Sequence, residues 1–167
     1  MYLASKLMQN GYALALRSGL IEISNRLRAL EENECDRLRK LLRIGVQWNT
    51  QVTLNNTSHK VSQAYCSALP VAYSSHSSDL WEGFARLMLE ASYEATICAA
   101  FLNWRSTSNN RLFLTLLGGG AFGNETSWIL ESIQRVLRLY ENWNIAVSIV
   151  SYGRSNEDVR QLVEQFP

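Results

Sequence analysis

Arg111-Leu112-Phe113-Leu114-Thr115-Leu116-Leu117-Gly118-Gly119-Gly120-Ala121-Phe122-Gly123-Asn124 is the stretch on which the reading of this chain turns. An apolar run feeds straight into glycines, and the segment after it, Ser127 to Leu137, is patterned as a helix. The order is therefore buried strand, glycine loop, helix. Glycine allows positive φ and lets a ligand approach the main chain closely. The start of a helix adds free N–H groups and the positive end of a dipole. Together these make a place for a phosphate or diphosphate. One or two glycines satisfy a tight turn, whereas Gly118, Gly119, Gly120 and Gly123 exceed that need. The stretch predicts a ligand-binding loop.

On either side of it the pattern alternates between helix and strand. Toward the C-terminus come a helix to Tyr140, a strand over 145–151 and a last helix from Ser155 with Asp158 as its capping acid. Toward the N-terminus, Trp81, Phe84, Leu87, Met88, Ala91, Ala95, Cys98 and Phe101 mark the face of a long helix ending near Trp104. Asp79 and Glu82 have the spacing of a capping box at its start. Residues 44–54 alternate apolar and polar and predict a strand. Asn55 to Ser58 is turn chemistry. A second extended stretch runs from Lys60 to about Ala68 and is stopped by Pro70, which lacks an N–H donor. Residues 18–42 show leucines and an isoleucine at helical spacing, with a break into two helices near Glu31-Glu32-Asn33-Glu34. The last half thus reads as α/β with a parallel sheet. A helical segment over 1–43 precedes a domain over 44–167.

Composition narrows the function. The 167 residues, 47% of them hydrophobic, suffice for one domain with a core. Sixteen Lys plus Arg against 15 Asp plus Glu leave no basic excess for duplex nucleic acid. Cys35, Cys66 and Cys98 form no Cys-x-x-Cys pair and none adjoins a histidine, so neither a zinc site nor any other cofactor is expected. They read as reduced thiols of an intracellular protein. Met1 to Asn10 lacks the long apolar core of a signal peptide, and no apolar run reaches membrane-spanning length. The expected location is the cytoplasm, with no membrane partner.

Gly118, Gly120 and Gly123 also spell Gly-x-Gly-x-x-Gly, the dinucleotide fingerprint. A Rossmann domain would place an acid at the end of the next strand, and that strand ends Ile149-Val150-Ser151-Tyr152-Gly153. A Walker-type loop would need Lys-Ser/Thr after its glycines, which is missing. The run from Val61 onward instead resembles the later two-thirds of a macrodomain, the ADP-ribose-binding fold. Val61 to Pro70 looks like the strand that ends in proline before the long helix. Leu112 to Asn124 is similar to that family's strand and diphosphate-cradling loop, and Ala146–Tyr152 to its final strand. The wording is closest to a divergent branch that includes bacterial effectors acting on ADP-ribosylated ubiquitin and is distantly related to poly(ADP-ribose) glycohydrolases. The resemblance implies a three-layer sheet with flanking helices, incomplete at the N-terminus. It also implies ADP-ribose or an ADP-ribosylated protein as partner, and hydrolysis of an ADP-ribosyl bond as the activity.

Gly118, Gly119, Gly120, Ala121, Phe122, Gly123 and Asn124 are then the expected ligand-binding residues. Phe122 would cover ribose and diphosphate, and Tyr152, at a strand end, would face adenine or the distal ribose. The paired-glutamate signature of glycohydrolases is absent. Asn49 and Gln51 stand where the branch carries acids, and an amide cannot act as a general base. Glu125, the acid next to the loop, is a dipole-complementing residue first and a catalytic candidate second. A reader of ADP-ribosylated proteins without catalysis is one alternative. A structural or assembly subunit whose glycine loop only turns the chain is another. His59 and His76 read as loop histidines without a catalytic partner.

Overall fold

The computed structural model describes residues 6–9, 12–154 and 156–166. It opens with an antiparallel pair, β1 (Lys6–Gln9) and β2 (Tyr12–Ala15). Helices α1 (Arg17–Arg28) and α2 (Glu32–Arg39) follow. The N-terminal 43 residues are therefore not all helical: an antiparallel strand pair precedes the helices. The break between α1 and α2 falls where the acidic run predicts it. Glu31 is the N-cap of α2, and its side chain and that of Glu34 form a reciprocal capping box.

Strands β3 (Gly45–Gln51) and β4 (Lys60–Tyr65) pair antiparallel. Their register shifts between Gln47 and Thr50, and Asn49 sits there at φ 52°. Asparagine tolerates this left-handed backbone better than most residues, so the position reads as a bulge. A connection over 66–77, with a single 3-10 turn at Val71–Tyr73, leads into α3 (Ser78–Thr107). Ser77 is the N-cap of α3 rather than Asp79; Glu82 instead pairs with Arg86 one turn on, at 2.8 Å.

Strand β5 (Arg111–Thr115), helix α4 (Thr126–Leu139) and strand β6 (Ala146–Val150) form a β-α-β unit with β5 and β6 parallel. Helix α5 (Glu157–Val163) closes the described chain. Its N-cap is Asn156, whose side chain accepts from the Asp158 N–H at 2.8 Å. The expected start at Ser155 lies outside the described residues.

The core sits around α3. Trp81, Ala85, Leu89, Tyr93 and Ile97 are buried on it, together with Leu20 of α1, Leu114 of β5, and Trp128, Ile129, Ile133 and Val136 of α4. Helix α3 meets neighbours on several sides, so its buried residues wrap around it instead of following the single stripe that the sequence suggests.

The fold is mixed α/β, with the expected parallel pair, but the described residues do not build one continuous three-layer sheet. They form three separate two-stranded sheets. In β5 and β6 the inward side chains Leu112, Leu114, Val147 and Ile149 join the core, whereas outward Phe113 and Val150 are 63% and 47% exposed. The helices thus cover one face only. Parallel strands are ordinarily covered on both.

Candidate functional site

The glycine loop lies where the sequence puts it, between the end of β5 and the start of α4. Its glycines do different jobs. Gly118 has φ 77°, and a Cβ there would come within 2.3 Å of the Ala68 Cβ. Gly123 has φ 68° and would meet the Ala72 Cβ at 2.6 Å. Both are required by backbone conformation and by close packing on the connection between β4 and α3. Gly119 is tight only against the flexible end of Ile129, at 3.1 Å, and is exposed. Gly120 is exposed, lies outside the positive-φ region, and a Cβ there would meet nothing within 4 Å.

Asn124 locks the loop in place. It is buried, its N–H donates to the Gly118 carbonyl at 3.0 Å, and its side-chain amide donates to the carbonyls of Leu69 at 2.8 Å and Gly118 at 3.3 Å. Its Oδ1 is buried without a hydrogen-bond partner. The Ala72 N–H donates to the Phe122 carbonyl at 2.9 Å, and the Phe122 ring stands edge-on to Tyr73 with centroids 5.5 Å apart. The N–H groups of Gly119, Gly123 and Asn124 are spent inside the loop. Those of Gly120 and Ala121, on the exposed crest, enter no backbone hydrogen bond among the described residues. Helix α4 begins directly behind the crest, and Glu125, its N-cap, makes no side-chain capping bond. The first N–H groups of a helix have no intrahelical acceptor, so crest and helix start together present unengaged donors.

Beneath the loop, Tyr93 of α3 is 3% exposed. Its hydroxyl donates to the Thr115 carbonyl at 2.8 Å and accepts from the Leu117 N–H at 2.9 Å. Burial pushes this phenol well above the usual tyrosine range, only partly offset by the N–H it receives. The end of β5 and the start of the loop are thereby fastened to α3, a tie that nothing in the spacing of the sequence announces.

The other expected site residues are not gathered here. Asn49 and Gln51 lie toward the C-terminal end of β3, which runs antiparallel to β4 and so ends beside Lys60. The loop is at the opposite, C-terminal end of β5. Strands rise about 3.3 Å per residue, so roughly a strand's length separates amides from loop. The Asn49 N–H is held by the Ser62 hydroxyl at 3.2 Å, which itself bonds Asn103 at 2.7 Å, a structural use of the bulge. Tyr152 follows β6 and is fully exposed. His59 is exposed, while His76 is half-buried with Nε2 3.1 Å from the Ala15 carbonyl. Cys35, Cys66 and Cys98 are free and half-buried, and burial raises the Cys35 thiol.

A groove of about 1100 Å³ opens elsewhere, between β4 and β5 over α3. Asn49, Tyr93, Cys66 and Leu117 line it, but no residue of 118–124 does, and among the described residues none that line it is an acid. It therefore supplies no carboxylate for general-base chemistry. No protein-family model, curated protein or solved structure matches the chain. Among the described residues, no helix is long and apolar enough to cross a membrane.

Proposed function

We propose that this chain is a macrodomain-like module that holds the diphosphate of ADP-ribose, free or attached to a protein, on Gly119–Ala121 and the start of α4, and does not hydrolyse it. The observation that carries the reading is Gly120. Conformation and packing account for Gly118 and Gly123, but neither asks for a glycine at position 120. A bare crest in front of an uncapped helix start is what an anion needs to reach backbone donors. The order β4, proline-bearing connection, α3, β5, loop, α4, β6 follows the segments on which the family resemblance rests. The absence of catalysis follows from the distance of Asn49 and Gln51 from the loop and from the lack of acids in the groove. Glu125 remains the nearest carboxylate, exposed on the helix start.

The test is thermal unfolding with and without ADP-ribose. A ligand at one hundred times its Kd stabilises the folded state by about 2.7 kcal/mol. ADP-ribose should raise the melting temperature, AMP less so. Because a side chain at 120 meets open space, Gly120→Val should melt where the parent does and lose the ligand's effect. No shift of the parent protein at millimolar ADP-ribose would sink the proposal. A shift that Gly120→Val retains would mean that the loop is a turn and the ligand sits elsewhere.

A further inference from the structure

Strands β4 and β5 run in the same direction. Ser62 bonds Asn103 and Cys66 lies 3.6 Å from Thr96, so β4 runs against α3. Asn109, just before β5, accepts from Asn103, and Thr115 at the far end of β5 accepts from Tyr93, so β5 does too. Among the described residues each strand is paired on one side only, β4 with β3 and β5 with β6, and the two are not bonded to each other. Their free edges face one another across the 1100 Å³ groove, whose floor is α3. Apart from the Arg111 N–H, held by the Asn109 side chain at 3.1 Å, and the Thr115 carbonyl, held by Tyr93 and Leu117, the backbone groups that the ladders leave over on these edges would be satisfied by one object, an extended polypeptide that pairs with both.

We propose that this groove is the slot for a β-strand supplied by another polypeptide, inserted between β4 and β5 to make one continuous sheet β3-β4-strand-β5-β6. The floor gives the strand's pattern. Thr96, Ala99 and Ala100 are small, so alternate residues of the guest have room to be apolar and branched. The charges give the end of the slot at which it carries an acid. The only fully charged residues lining the groove are Lys60 and Arg111, the first residues of β4 and β5, and neither forms an ion pair among the described residues. A guest parallel to both strands would carry an acid at its N-terminal end.

The experiment is selection from a random heptapeptide library displayed on phage against the full chain. Enriched peptides should alternate apolar residues, avoid interior proline and carry Asp or Glu at one end, the N-terminal end for a guest parallel to β4 and β5. The best of them, as a synthetic peptide, should slow amide exchange in residues 60–65 and 111–115. Methylating its alternate backbone nitrogens should weaken binding at least tenfold, as should Ala99→Trp, which fills the floor from a helix position that tolerates it. No enrichment against protein shown to be folded would overturn the proposal. So would enriched peptides that bind Ala99→Trp equally, or protection of these strands that grows with protein concentration in the absence of peptide, which would put a second copy in the slot. None of these readouts depends on ADP-ribose.

Discussion

Gly118 and Gly120 stand two residues apart and should answer oppositely to substitution. Gly118→Ala puts a side chain into left-handed backbone and into Ala68, so it should cost about 2–4 kcal/mol in urea unfolding. Gly120→Val should stay within about 0.5 kcal/mol of the parent. Equal losses would mean that the crest is packed after all. Tyr93 gives a second contrast. Its phenol is held above the ordinary tyrosine value of 10.0 by burial, so the folded state keeps this proton where the unfolded state releases it. Its contribution is complete below pH 10 and is lost as pH rises beyond that toward the folded value. Stability followed by urea between pH 8 and 11.5 should fall, and should fall less steeply in Tyr93→Phe. That variant should start about 1 kcal/mol lower, since the Thr115 carbonyl and Leu117 N–H lose the hydroxyl but keep their bond to each other at 2.9 Å.

Among the elements, α2 is the one held mainly by charge. The Arg39 side chain is 7% exposed and reaches Glu32, Asp36 and Glu90, each at 2.7 Å. Arg135 of α4 joins through Asp36 at 2.7 Å and Glu94 at 3.0 Å. Burial alone would lower the basicity of Arg39, but hydrogen bonds and charge from Glu32, Glu90 and Asp36 more than reverse it. Removing one partner of a buried pair costs about 3–5 kcal/mol, and the exposure of Glu32 and Asp36 argues for the lower end. Arg39→Ala should therefore lose about 3 kcal/mol and speed exchange in α2 more than in α4. Unchanged exchange in α2 would place its anchor elsewhere.

The elements themselves were readable from the chain because each carries its own period. The strands over 45–51, 60–65, 111–115 and 146–150 and the long helix fall close to where alternation and helical spacing put them. The strand pair 6–9 and 12–15 is not legible there, since two four-residue strands give too short an alternation to register. The cap of α3 differs from the expectation because Asp79-x-x-Glu82 has the right letters two residues too late. At the candidate site, the loop's position was legible, but the division of labour among its glycines was not. That depends on Ala68 and Ala72, which lie some fifty residues away in sequence. Nor does any local pattern show that Asn49 and Gln51 end up beside the start of β4, away from the loop, since strand direction is a property of the whole topology.

For the whole molecule, the dispersal of the candidate catalytic residues has a direct consequence. A protein labelled with ADP-ribose should keep its label when incubated with this chain, even where free ADP-ribose stabilises it. Loss of a general base alone removes about 10²–10⁴ in rate. Asn49→Asp with Gln51→Glu should not restore release, because both side chains sit a strand's length from the loop. Turnover by the unaltered chain would refute this and single out Glu125.

The open edges of β4 and β5 also bear on how the chain fares once synthesised. Until something occupies the groove, the same unpaired backbone that would receive a guest strand is a template for other copies of the chain, and the exposed Phe113 and Val150 add stickiness beside it. Supply of the guest would then act as quality control. Chains that met it early would have these edges covered, while chains made in excess would keep them open to chaperones, proteolysis or aggregation. Abundance in the cell would be set by the scarcer of the two polypeptides.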